Sequence, residues 1–180
     1  ITFLKGQFTI VNTLKTADEA GLKMGNDAYL TAAKGIDANG DGYLRLTDAV
    51  PYKKGYMYVK STFPTTMGIT ADFEYKAWRN VADTVNFGAD GFTFFLFDGA
   101  ITEEKFLLGG WGGSLGYATF SSPANTPGLS GGYIGIGFDA FGNYIRSVEN
   151  RNGGQTDYLP NSIVLRGPTT ATYSQSNIYL

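Results

Sequence analysis

Apolar and polar residues alternate along much of this chain instead of recurring every three or four positions, which predicts strands. The clearest stretch is Gly88–Phe97, where a tight Ala89-Asp90-Gly91 turn runs straight into an apolar, aromatic, β-prone segment. Phe92, Phe94 and Leu96 fall on one face of such a strand, and Thr93, Phe95 and Phe97 on the other. Both faces are largely apolar, so the strand is expected inside a two-layer structure and not at its edge. Further strands are expected over residues 55–63, 68–78, 115–120 and 132–139 and over Ser162–Arg166. In residues 68–78, Ile69, Ala71, Phe73 and Tyr75 alternate with Thr70, Asp72, Glu74 and Lys76, so one face should be wet. Gly137, inside an expected strand, points to a bulge or close packing. Phe3-Leu4, Phe8-Thr9-Ile10-Val11 and Ala28-Tyr29-Leu30-Thr31 read as shorter strand pieces. Residues 16–22 suit a short helical turn capped by Thr16. Residues 79–88, 99–113 and 142–161 read as connections. The pattern predicts one all-β domain over residues 1–180, with no repeat, charge block or linker.

Three connections carry candidate chemistry. Asp90 stands at the lip of the central strand, where its backbone is held and its carboxylate can face solvent. That suits a binding residue, and it equally suits an ordinary turn aspartate. Leu107-Leu108-Gly109-Gly110-Trp111-Gly112-Gly113 lacks the Gly-Lys-Ser/Thr ending of a phosphate loop. Its glycines allow close backbone approach and leave amide N–H groups for a ligand. Asp37-Ala38-Asn39-Gly40-Asp41-Gly42-Tyr43-Leu44-Arg45-Leu46-Thr47-Asp48 fits the opening of an EF-hand calcium loop, with Asp48 at the twelfth position. Arg45 falls at a ligand position there and neither flank reads as a helix, so a polar turn feeding a strand is the competing reading.

Composition narrows the chemistry. The 180 residues can bury a sizeable core, and a net charge of −2 with scattered Lys and Arg gives no stripe for nucleic acid. With no His and no Cys, neither a Ser-His-Asp nor a Cys-His catalytic site can be built. A metal would have to be held by oxygen, which points to calcium. No signal peptide or apolar membrane span is visible, so no membrane insertion is expected. The opening at Ile1 suits a chain whose signal has been removed or one excised from a longer protein.

Three stretches together carry a resemblance. Ala89-Asp90-Gly91-Phe92-Thr93-Phe94-Phe95-Leu96, Gly112-Gly113-Ser114-Leu115-Gly116-Tyr117 and Gly137-Phe138-Asp139-Ala140-Phe141-Gly142-Asn143 occur in this order. They resemble the signature strand, the glycine-rich sugar loop and the metal-and-sugar loop of the L-type (legume-type) lectins. The last two, with Arg166-Gly167-Pro168, resemble the bacterial lectin-like domains of surface or secreted adhesins. The resemblance implies a concanavalin-like antiparallel β-sandwich (jelly roll), an extracellular or cell-surface location and glycans as partners. It implies that Asp90 accepts sugar hydroxyls, that Gly113 adds a backbone N–H, that Asn143 donates to the sugar, and that Phe141 stacks on the ring. Read from the residues alone, Phe141 equally suits a core side chain and Asn143 a turn asparagine. It implies calcium held by Asp139, Asn143 and the Phe141 carbonyl, with a second carboxylate from Asp157 or Glu149. It also implies a cis bond before Asp90 when the metal loop is occupied.

The departures are informative. Gly137 and Ser162 stand where legume lectins carry the glutamate and histidine that bind a transition metal, so no such site is expected. Calcium prefers about six to eight oxygens, so the reduced set points to weak binding or none. Domains of this kind also run longer, with strands after the region matching Ser162–Arg166. The sandwich is therefore expected to be a fragment, a more compact variant, or one completed by another protein chain. Laminarinase-like hydrolases share the fold, but residues 137–142 lack both of their glutamates. The leading expectation is a non-catalytic carbohydrate-binding domain. The alternative is a lectin-like assembly module that no longer binds sugar.

Overall fold

The computed structural model describes residues 9–66, 68–79, 88–121 and 125–169. These form seven strands and a single 3-10 turn: β1 (Leu22–Asn26), β2 (Tyr29–Leu30), β3 (Leu44–Arg45), β4 (Gly55–Val59), β5 (Gly91–Phe97), η1 (Gly112–Ser114), β6 (Gly132–Asp139) and β7 (Ser162–Arg166). All strand pairs are antiparallel, and the described chain is all-β. No helix among the described residues is long and apolar enough to cross a membrane. The chain divides into two compact units, Ile1–Phe73 and Glu74–Leu180.

In the first unit β1 pairs with β4 and β2 with β3. Leu22, Leu30, Thr31 and Gly42 are its buried residues among those described. The expected helical turn at residues 16–22 is not formed. The Thr16 hydroxyl accepts from the Asp18 N–H at 3.3 Å and the Asp18 carboxylate from the Ala20 N–H at 2.8 Å, so side chains take the amides a helix would use. Residues 37–42 make the polar turn, leading into β3. Asp48 accepts from the Tyr29 hydroxyl at 2.8 Å and pairs with Arg45 at 3.4 Å, so its carboxylate closes the β2–β3 ribbon.

The second unit is built on the sheet β5-β6-β7. The middle strand is β6, and among the described strands β5 pairs with β6 alone. Alternation sorts its side chains as the sequence indicates. One face carries Phe92, Phe94 and Leu96 opposite Phe138, Ile136 and Ile134. There the rings of Phe92 and Phe138 stack at 4.6 Å and Tyr75 packs against both.

The opposite face places Thr93 and Phe95 beside Gly137 and Gly135, which pair in turn with Val164 and Arg166. The β6 glycines explain what covers it. A Cβ at Gly135 would run into the Tyr117 ring, and one at Gly137 into the Tyr144 ring. Two tyrosines therefore lie flat over the strand, both fully buried. The Tyr117 hydroxyl donates to the Gly167 carbonyl at 2.9 Å. Phe106 closes the far end against Phe95 and Phe97. The buried set is completed by Ala118, Leu129, Ile145 and Val164.

Two expected strands are absent among the described residues. Residues 115–120 fold as turns: Leu115 and Gly116 are left-handed, Tyr117 and Ala118 both donate to the Ser114 carbonyl, and only Phe120 forms a bridge, to Thr126. The preceding glycines let the chain double back so that Tyr117 reaches β6. The described part of residues 68–78 joins no strand, and Ile69, Phe73, Tyr75 and Trp78 are exposed. Alternation marks a two-faced segment but cannot supply the neighbour a ladder needs. Phe3, Leu4 and Phe8 lie outside the described residues, as do 80–87 of the connection before β5, and residues 9–11 join no strand.

Candidate functional site

At the lower end of β5 the chain enters through Ala89–Asp90, a cis peptide bond, the geometry that the resemblance attaches to this position. Gly91 follows with φ 143°, and a Cβ there would strike the Phe138 carbonyl, so only glycine lets β5 approach β6 so closely. The Asp90 carbonyl accepts from the N–H groups of Ala140 (2.9 Å) and Phe141 (3.2 Å). Asp90 is thereby locked to the loop that follows β6.

That loop is wound around Asp139, which is 1% exposed. Its two carboxylate oxygens accept from the Gly142 and Tyr144 N–H groups, each at 2.7 Å. The turn sets Asn143 facing Asp90, with Nδ2 donating to Asp90 Oδ1 at 3.3 Å. Across from them η1 brings in the glycine loop. A Cβ at Gly112 would lie 3.7 Å from Asp90 Oδ2, and one at Gly113 would collide with the Asn143 side chain. No side chain caps the first turn of η1, and the N–H groups of Gly112 and Gly113 meet no acceptor among the described residues. Asp90 Oδ2 likewise carries no hydrogen bond there.

The structure thus gathers Asp90, Gly113, Asn143 and Asp139 from three separate stretches of sequence. Phe141 is tied in by its backbone, while its half-buried ring meets the Tyr158 ring edge-on at 5.4 Å. Tyr158 is itself covered by the Arg146 guanidinium at 4.2 Å. Asp157 sits on the exposed outer part of the loop, its carbonyl accepting from the Gln155 side chain. Glu149 is committed to Arg151, at 2.7 Å.

Two arginines complete the site, and sequence reasoning does not single out either as part of it. Arg151 is 5% exposed; Nη1 donates to the Asn143 carbonyl at 2.7 Å, and Nη2 to Ser114 Oγ at 2.9 Å as well as to Glu149. Arg166 is fully buried. Its Nε and Nη2 donate to the Tyr144 carbonyl at 2.9 and 2.7 Å, and Nη2 also reaches the Arg146 carbonyl at 3.1 Å. An arginine in a polar loop and one at a strand end carry no periodic signal. The one clue for Arg166 is its inward register on β7, beside Val164.

Electrostatics follow from burial. Loss of water raises the Asp90 carboxyl above the ordinary aspartate range, opposed by the Asn143 hydrogen bond and the Arg151 charge. Asp139 is raised for the same reason, opposed by its backbone amides, with Asp90 nearby pushing the same way as burial. Burial also lowers Arg151, and Glu149 counters this.

For an oxygen-bound cation, one feature fits: Asn143 Oδ1 is buried without a partner. Most of the rest of the donor set is already engaged. Asp139 has both oxygens occupied by amides, Glu149 is paired, a guanidinium stands on the Asn143 carbonyl, and no cluster of three acidic side chains exists among the described residues. Calcium's usual shell of about six to eight oxygens is not assembled. No protein-family model matches this chain, and no curated protein matches it either.

Proposed function

We propose that this chain is a non-catalytic carbohydrate-binding domain of a bacterial cell-surface or secreted adhesin, with its sheets belonging to a concanavalin-like β-sandwich. The observation that carries the reading is Asp90. One carboxylate oxygen is held by Asn143, and the other is left open beside a glycine loop with unused amides. A carboxylate acceptor and amide donors on one rim match the paired hydroxyls of a sugar, which both donate and accept. Catalysis is disfavoured because Asp139, the second carboxylate, is buried with both oxygens engaged and cannot act as a nucleophile or proton donor.

A glycan-array screen of the folded chain tests the reading, beside Asp90→Ala. Binding that disappears in the variant supports it. The second reading is an assembly module, favoured by Ile163 and Leu165, which stand 64% and 38% exposed on β7. A folded chain that binds no glycan and self-associates would favour that alternative.

A further inference from the structure

The loop over residues 139–155 carries Asp139 and Asn143, yet its inner side is a set of backbone carbonyls turned toward two buried guanidiniums. The carbonyls of Asn143, Tyr144 and Arg146 all accept from Arg151 or Arg166. We infer, resting on the carbohydrate reading, that Arg151 and Arg166 are the resident cations of this site, and that Arg151 is the positioning residue for Asn143, so the binding geometry forms without a divalent ion.

The case rests on what Arg151 joins. Its guanidinium bonds the Asn143 carbonyl on one side and Ser114, the last residue of the glycine turn, on the other. The two loops that frame Asp90 are therefore tied through one planar, permanently charged group with a fixed fork of donors. Ser114 Oγ is fully engaged in this bridge, because it also donates to the Thr119 carbonyl. Glu149 balances the charge.

The unpaired atoms point the same way. Asn143 Oδ1 is a buried acceptor without a donor, and Arg151 Nε is a buried donor without an acceptor. A divalent cation would satisfy the first and be repelled by the guanidinium bonded to the same residue. Arg166 plays the matching part deeper in the loop, where carbonyl oxygens converge on it much as they would on a metal ion.

Thermal melting of the full chain in excess calcium chloride and in chelator, with and without a glycan taken from the array, tests this. The expected result is one midpoint and one glycan affinity in both buffers. Arg151→Met should lower glycan affinity about tenfold or more, the loss of a charged hydrogen bond. Arg151→Lys, which keeps the charge and part of the bonding, should recover some of it. A midpoint that rises with calcium and saturates at a single site would overturn the inference, as would binding lost in chelator and restored by calcium. Unchanged affinity in Arg151→Met would overturn the positioning role. Should Arg151→Met not fold, Ser114→Ala takes its place, because it removes one acceptor of the Arg151 guanidinium; weakened glycan affinity supports the clamp and unchanged affinity overturns it. If no glycan binds, the carbohydrate reading fails, while the calcium dependence of melting still decides between guanidinium and metal.

Discussion

Asn143 donates its side-chain amide to the Asp90 carboxylate at 3.3 Å, across 53 positions of sequence. The contact joins the entry to β5 with the loop leaving β6, and antiparallel pairing of Gly91 with Asp139 makes it possible. It also divides the work of the carboxylate, with Oδ1 held inside and Oδ2 left open.

Asp90→Ala is therefore expected to lower glycan affinity by about tenfold to a hundredfold, the range for losing hydrogen bonds to a charged acceptor. Asp90→Asn should also weaken binding, yet without lowering the unfolding midpoint, because burial already disfavours the charge. Glycan titrations set beside urea unfolding check both halves.

The pH dependence has a defined sign. On the proposed carbohydrate reading the sugar-accepting form of Asp90 would be the carboxylate, and its pKa in the folded chain lies above the ordinary value of about 3.9. Glycan affinity should fall on acidification at a higher pH than an unperturbed aspartate would give. Stability linked to Asp90 and Asp139 runs the other way. It is fully present below the ordinary aspartate pKa and is lost as pH rises through the raised values. Affinity and unfolding measured over one acid series would separate the two trends; affinity that persists down to the ordinary aspartate range would contradict the assignment of Asp90.

Gly113→Ala tests the close approach of the glycine turn. The added methyl group collides with the Asn143 side chain, so Asn143 must move away from Asp90 or η1 must lift. A destabilisation of about 1–3 kcal/mol is expected, as for overpacking elsewhere, together with lost glycan binding. Chemical denaturation and the array read the two effects.

Gly137→Ala probes the tyrosine cover of β6. Its Cβ would meet the Tyr144 ring, whose neighbours leave it nowhere to go. The expected cost is again about 1–3 kcal/mol by urea unfolding. A neutral result would mean that Tyr144 does not lie over β6.

Tyr117→Phe isolates one hydrogen bond. It leaves the Gly167 carbonyl without the donor it has at 2.9 Å in a buried setting, and should cost about 1–3 kcal/mol with glycan affinity unchanged.

The sequence by itself determined the all-β class, the extents of β6 and β7, and which side chains share each face of β5. Alternation has a period of two and is set by covalent geometry, so it is readable without neighbours. It also marked Asp90, Gly113 and Asn143 as candidates. What it could not determine is which segments find partners. Residues 68–78 alternate as cleanly as β6 but join no ladder, and residues 115–120 turn back to lay Tyr117 over Gly135. Nor could it place Arg151 and Arg166, whose partners are mostly backbone carbonyls of a folded loop. A carbonyl is present at every residue and carries no sequence signal. Only the tertiary path decides which carbonyls converge, and so which arginines become the centres of the site.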